Sequence, residues 1–191
     1  MVALRTREIP EILLPRAEID RRVRELAAEI TSDYRGRSPH LVGVLKGAWV
    51  FMADLIRQLD VEATVDFLGI ASYGSGTQSS GEVKITKDLD VSIEGRDVLV
   101  VEDILDTGRT YKYLHELLSA HKPASIKLVT LLDKASRRIV PVQPGYVGFE
   151  IPDVFVVGYG LDLDQKYRQL RDICVLPSAS SRSTVISPGE Y

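Results

Sequence analysis

The sequence predicts an α/β protein with a mostly parallel central sheet flanked by helices. Short apolar runs alternate along the chain with longer amphipathic segments, the pattern of strands joined by crossover helices. Several runs, such as Val98 to Val101, are apolar at every position rather than at alternate ones, as strands covered on both faces are. Polar residues of chemical interest gather directly after the runs, where parallel sheets present their ligand-binding edge.

The elements follow in order. Arg16 to Asp33 carries Ile19, Val23, Leu26, Ala27 and Ile30 at helical spacing, and Gly36 stops it. His40 to Leu45 reads as a buried strand that breaks at Lys46-Gly47 into a helix over Ala48 to Leu59. Glu62 to Ser72 is β-rich and runs into a polar Gly/Ser-rich loop, Tyr73 to Gly81, from which Val83 to Thr86 emerges as a strand. Val98 to Val101 is a strand whose end is expected to leave Glu102 and Asp103 at the sheet edge facing solvent. A helix follows from about Thr110 to Ala120, then strands over Ile126 to Leu132 and Val154 to Tyr159. Ile173 to Leu176 is expected to close the sheet, and the Ser/Pro-rich residues from Pro177 to Tyr191 read as a flexible tail.

Composition narrows the function classes. At 191 residues the chain fits one domain with a sizeable core. A hydrophobic fraction of 45% and a charged fraction of 27% exclude disorder as the main state. The net charge of -3 argues against a dedicated nucleic-acid binder. The longest uncharged stretch, Phe67 to Gly81, is too rich in Gly and Ser to cross a membrane, and the N-terminus has no signal-peptide core. One cysteine, Cys174, allows no internal disulfide and fits a reducing cytoplasm; it reads as a core filler. His40, His115 and His121 lack metal-ligand spacing.

The most informative segment is Val98 to Thr110. A buried strand leads into the adjacent carboxylates Glu102 and Asp103, and then into Asp106-Thr107-Gly108-Arg109-Thr110, which opens a helix. Successive N–H groups at a helix start, with the Thr107 and Thr110 hydroxyls, form a phosphate cradle, and Gly108 lets the backbone approach an anion. Carboxylates beside such a cradle suit a sugar phosphate, accepting hydrogen bonds from its hydroxyls or holding Mg²⁺. Taken alone, the two acids are equally compatible with a solvated turn or with the acidic cluster of a receiver domain.

This segment resembles the 5-phosphoribosyl 1-pyrophosphate (PRPP) signature of type I phosphoribosyltransferases. Leu45-Lys46-Gly47, Ser72-Tyr73, Asp133-Lys134, Gly148 to Asp153, Phe155 to Tyr159 and Leu161-Asp162 extend the likeness to the hypoxanthine-guanine phosphoribosyltransferase family, over about residues 10 to 176. The run Gly148 to Asp162 is the most specific part, separating this family from adenine, orotate and uracil relatives. The resemblance implies a core over about 37–140, with a small hood built from 1–15 and 141–176.

It also implies transfer of ribose 5-phosphate from PRPP to N9 of a 6-oxopurine, releasing pyrophosphate, with Mg²⁺ as cofactor and a homodimer or homotetramer as the working form. By resemblance, Glu102 and Asp103 bind the ribose hydroxyls and Mg²⁺, and Asp106 is the general base near purine N7. Thr107, Gly108, Arg109 and Thr110 hold the 5′-phosphate. Lys46 and Gly47 form the pyrophosphate loop, which carries a non-proline cis peptide in relatives, and Arg168 contacts the pyrophosphate. Lys134 donates to purine O6, Phe155 stacks on the ring, and the Val156 backbone meets the base's Watson–Crick edge. Asp162 holds a second Mg²⁺ near the purine and pyrophosphate, and Ser72-Tyr73 begin a mobile loop over the reacting centre. Leu163 stands where many relatives have an aromatic residue. Competing readings are a xanthine-preferring sister enzyme, a PRPP-sensing regulator on the same fold, and the receiver domain, which the late position of residue 102 does not suit.

Overall fold

The computed structural model describes residues 10–72 and 83–176. A six-stranded sheet runs in the order β4 (Val83–Lys87), β3 (Thr64–Ser72), β2 (His40–Leu45), β5 (Asp97–Leu105), β6 (Ser125–Asp133), β7 (Tyr146–Glu150). All its neighbouring strands are parallel except the antiparallel edge pair β3 and β4.

The apolar runs are explained by what lies on each face. Consecutive residues of a strand point to opposite sides, and here both sides are covered. Leu41, Leu99 and Val101 join Ile19, Leu26 and Ile30 of α1 (Arg16–Asp33) and Phe51, Met52 and Leu55 of α2 (Trp49–Ile56) in one core. Val42, Val98 and Val100 join Tyr111, Leu114 and Leu118 of α3 (Arg109–Ser119) in the other. Burying a Leu, Ile or Val side chain contributes about 1.5–3 kcal/mol, so β2 and β5 tolerate no polar alternation.

A second, three-stranded sheet has the order β1 (Glu11–Leu14), β9 (Ile173–Val175), β8 (Val156–Val157). Its pairings are antiparallel, with Glu11 opposite Val175 and Val157 opposite Cys174. Cys174 is buried there.

The structure corrects four expectations. Ile173 to Leu176 does not close the main sheet; its strand pairs with β1 and β8 instead. The strand expected over Val154 to Tyr159 shrinks to Val156–Val157, because the chain turns back at Gly158, whose N–H donates to Leu161 O at 3.0 Å. The second helix covers Trp49–Ile56 rather than Ala48 to Leu59. β5 extends to Leu105, carrying Glu102 and Asp103 inside the sheet instead of at a solvent-facing edge, because it pairs with β6 as far as Leu105 opposite Asp133. The tail from Pro177 and most of the Gly/Ser-rich loop lie outside the described residues.

Candidate active site

The carboxyl ends of β2, β5 and β6 lie side by side, so three loops from distant parts of the chain meet along one sheet edge. The β5 loop supplies the acids. Glu102 is buried and Asp103 half-buried. Burial raises the Glu102 carboxyl well above its usual range, and the neighbouring Asp103 charge adds to this. Burial also raises Asp103, against the opposing hydrogen bond it accepts from the Ile104 N–H at 2.9 Å. Asp103 further feels Arg168, which favours its charge, and Asp162, which opposes it.

Asp106, Thr107 and Gly108 form the turn into α3. Gly108 sits at φ 85°, a left-handed conformation that favours glycine, and caps the helix. Arg109 and Thr110 are exposed in its first turn, and the Arg109 N–H lies 3.5 Å from Thr107 Oγ1. A cavity of about 220 Å³ is bounded by Glu102, Asp103, Asp106, Thr107, Gly108 and Thr110. The start of α3 borders this cavity, and main-chain N–H groups at a helix start favour an anion.

The β2 loop presses against the same acids. The Leu45–Lys46 peptide is cis, as the resemblance implied. Gly47 is so close to Asp103 that a Cβ there would fall 1.6 Å from Asp103 Oδ2. Lys46 is exposed, and its Nζ donates to Gln165 Oε1 at 3.2 Å. Gln165 Oε1 also accepts from Arg168 at 3.3 Å. Arg168 donates to Gly160 O at 2.7 Å and pairs with Asp162 at 2.7 Å. Asp162 additionally accepts from the Gln165 N–H at 2.8 Å.

The β6 loop brings the purine-side candidates. Lys134 is buried; its N–H donates to Leu105 O at 3.0 Å and its Nζ lies 3.9 Å from Asp153. Phe155 is 52% exposed, a ring presented to solvent rather than to the core, while Val156 is buried in β8. Ser72 is the last residue of β3, and Tyr73 lies outside the described residues.

The structure therefore gathers Lys46, Gly47, Glu102, Asp103, Asp162 and Arg168 on one side, and Asp106, Lys134 and Asp153 on the other. Glu102, Asp103 and Asp162 do not form one metal cage: among the described residues no group of three or more His, Cys, Asp or Glu side chains could hold an ion alone. The Glu102–Asp103 pair nevertheless suits Mg²⁺, which uses one or two carboxylates and completes its shell with water and substrate phosphate. Two acids whose charged forms are disfavoured by burial and by nearby negative charge, Asp103 for Glu102 and Asp162 for Asp103, gain most from a cation.

Sequence reasoning missed Arg137 and Arg138. Arg137 Nε donates to Asp106 Oδ1 at 2.8 Å, and its Nη1 reaches both Asp153 oxygens at 3.3 Å. Arg138 donates to Asp106 O at 2.7 Å and pairs with Asp133. The signal was two adjacent arginines just after a strand that already supplied a candidate lysine.

A family model described as a phosphoribosyl transferase domain matches residues 11–164. The chain belongs to that family. It is 54% identical over 172 residues to the hypoxanthine-guanine phosphoribosyltransferase of Bacillus subtilis, covering 90% of this chain and 96% of that one. It is 53% identical over 169 residues to the bifunctional protein TilS/HprT of Listeria monocytogenes, covering 88% of this chain and 26% of that one, so it spans about a quarter of the length of such bifunctional relatives. A crystal structure of a hypoxanthine phosphoribosyltransferase from Staphylococcus aureus matches with a TM-score of 0.85 at 48% identity, over 91% of this chain and 94% of that one. The expected type I phosphoribosyltransferase fold is thereby established, and the receiver-domain alternative is set aside.

Proposed function

We propose that the chain transfers the 5-phosphoribosyl group from PRPP to N9 of hypoxanthine or guanine, releasing pyrophosphate. The observation that carries this reading is the meeting, along one sheet edge, of a helix start bordering a cavity with the adjacent acids Glu102 and Asp103 on one side and the buried Lys134 on the other. The family's named relatives at about half identity support the same chemistry.

Each group has a role in this reading. The Thr107–Thr110 cradle binds the 5′-phosphate through main-chain N–H groups, which tolerates Arg109 at an exposed position. Glu102 and Asp103 accept hydrogen bonds from the ribose hydroxyls and hold Mg²⁺, with Asp162 reserved for a second ion. The chemistry Mg²⁺ supplies when bound is neutralisation of charge on the departing pyrophosphate. Lys46, the Gly47 backbone and Arg168 bind that leaving group. Asp106 accepts the proton from purine N7 as N9 attacks, which keeps positive charge off the base. Lys134, a donor without acceptors, reads the 6-oxo group and disfavours a 6-amino group. Phe155 stacks on the ring while the Val156 backbone meets the far edge. The loop beginning at Ser72-Tyr73 excludes water from the oxocarbenium-like transition state.

By resemblance to its family, the reading extends to a homodimer or homotetramer; sedimentation checks it. Among the described residues no helix is long and apolar enough to cross a membrane, and a cytoplasmic setting fits a chain with one cysteine.

Nucleotide formation from PRPP tests the whole. Hypoxanthine, guanine, xanthine, adenine and uracil are offered in parallel, with and without Mg²⁺. Mg²⁺-dependent product from 6-oxopurines alone is expected. Product from adenine or uracil, or none from any base, overturns the assignment.

A further inference from the structure

Asp106 is not free in this structure. Its carboxylate accepts from Arg137 Nε at 2.8 Å, and the same guanidinium reaches Asp153, which in turn lies 3.9 Å from Lys134 Nζ. The four side chains form an alternating chain of charge, Asp106–Arg137–Asp153–Lys134, that runs from the phosphate turn to the end of β6. Its two ends are the groups assigned above to N7 and O6. Those two atoms are neighbours on the same edge of a 6-oxopurine. A single planar cation, with donors in a fixed fork, therefore links the proton acceptor for one atom to the hydrogen-bond donor for the other.

We propose that Arg137 is a positioning residue for purine recognition: it holds the Asp106 carboxylate aimed across the site and sets its spacing from Lys134. The inference rests on Asp106 serving as the general base. Other charged groups face Asp106 as well. Arg138 comes from the same turn but meets Asp106 through its main-chain oxygen, and its charge is taken up by Asp133. Lys134 stands at the end of β6 and is paired through Asp153. Glu102 and Asp103 line the same cavity from the β5 side. Arg109 is exposed at the start of α3. Arg137 alone contacts the Asp106 carboxylate among the described side chains.

The test compares wild type with Arg137→Gln and Arg137→Lys, reading kcat and KM for hypoxanthine at saturating PRPP and KM for PRPP at saturating hypoxanthine. Both partners are partly exposed, so the pair is screened and its effect modest. In Arg137→Gln the purine KM should rise about 5–20-fold. The KM for PRPP should change less than about twofold. Arg137→Lys should leave most of the rise in purine KM in place, because it restores charge and not the fork. Salt at about 0.5 M should raise the wild-type purine KM and leave that of Arg137→Gln nearly unchanged.

A merely structural arginine would raise both KM values together. An unchanged purine KM in Arg137→Gln, or a PRPP KM that rises in step with it, overturns the proposal. Asp106→Asn separates the two levels: if it turns over normally, the general-base reading itself falls. If it is inactive while Arg137→Gln leaves the purine KM unchanged, only the role of Arg137 falls.

Discussion

Replacing Gly47 with alanine places one methyl group where the structure has no room for it. Its Cβ would lie 1.6 Å from Asp103 Oδ2 and 2.4 Å from Asp103 Cγ. Asp103 is short and anchored by the Ile104 N–H at 2.9 Å, so its side chain cannot yield without abandoning that position. Overpacking of this kind costs about 1–3 kcal/mol of stability when the surroundings can shift. The functional loss should be larger in proportion. On the proposed function, a displaced Asp103 would give up charge-assisted hydrogen bonds to the ribose hydroxyls, each worth about 1.5–3 kcal/mol, or about 10- to 150-fold in PRPP recognition. Thermal unfolding and steady-state kinetics at saturating hypoxanthine measure the two effects separately. The Gly47→Ala protein should fold, melt a few degrees lower, and lose at least tenfold in kcat/KM for PRPP. A variant that stays within about threefold of wild type would show that the closeness of Gly47 to Asp103 does not govern the PRPP site.

Other perturbations bear on the same edge. Burial raises Asp103 from an ordinary 3.8 to about 6 and raises Glu102 as well. The free protein should therefore be favoured at low pH and lose about 1–3 kcal/mol of that contribution as pH climbs through about 6. Chemical denaturation from pH 4.5 to 7.5 should show a shallower decline for Glu102→Gln, and parallel curves would refute the linkage. Lys134→Ala should raise the hypoxanthine KM about tenfold or more and narrow the preference over adenine; undiminished exclusion of adenine in a competition assay would remove its O6 role. Leu26→Ala, at a fully buried position of α1, should cost about 2–5 kcal/mol with the PRPP KM nearly unchanged.

Much of the fold was legible because its signals are local. The spacing of Ile19, Val23, Leu26, Ala27 and Ile30 matched all five buried positions of α1. The boundaries of His40–Leu45 followed from an apolar run ended by Lys46-Gly47. What escaped depends on distant partners. β7 has no apolar run of its own to announce it, and is a strand because it pairs with β6. β5 outruns its apolar stretch because β6 extends beside it, taking two carboxylates into the sheet against their hydration preference. At the site, residues that directly follow a strand could be found by position alone. Arg137 could not: it sits in a charged stretch that reads as solvated surface, and its partners Asp106 and Asp153 lie 31 and 16 residues away.

Under the proposed function, the small sheet would separate the base-side residues from the PRPP side in a way that hydrogen exchange could reveal. Its edge strand β1 and its central strand β9 come from distant parts of the chain, joined by a register that sets Glu11 beside Val175. Phe155 and Val156 depend on that clasp, whereas the PRPP-side residues of β2 and β5 grow from adjacent strands within one continuous core. The clasp's strands pair at only three and two positions while closing nearly the whole chain, so their backbone bonds are expected to open before those of the main sheet. Its opening would surrender the nucleobase pocket while the phosphate cradle stays folded. Affinity for the base would then fade before affinity for PRPP as temperature or denaturant rises.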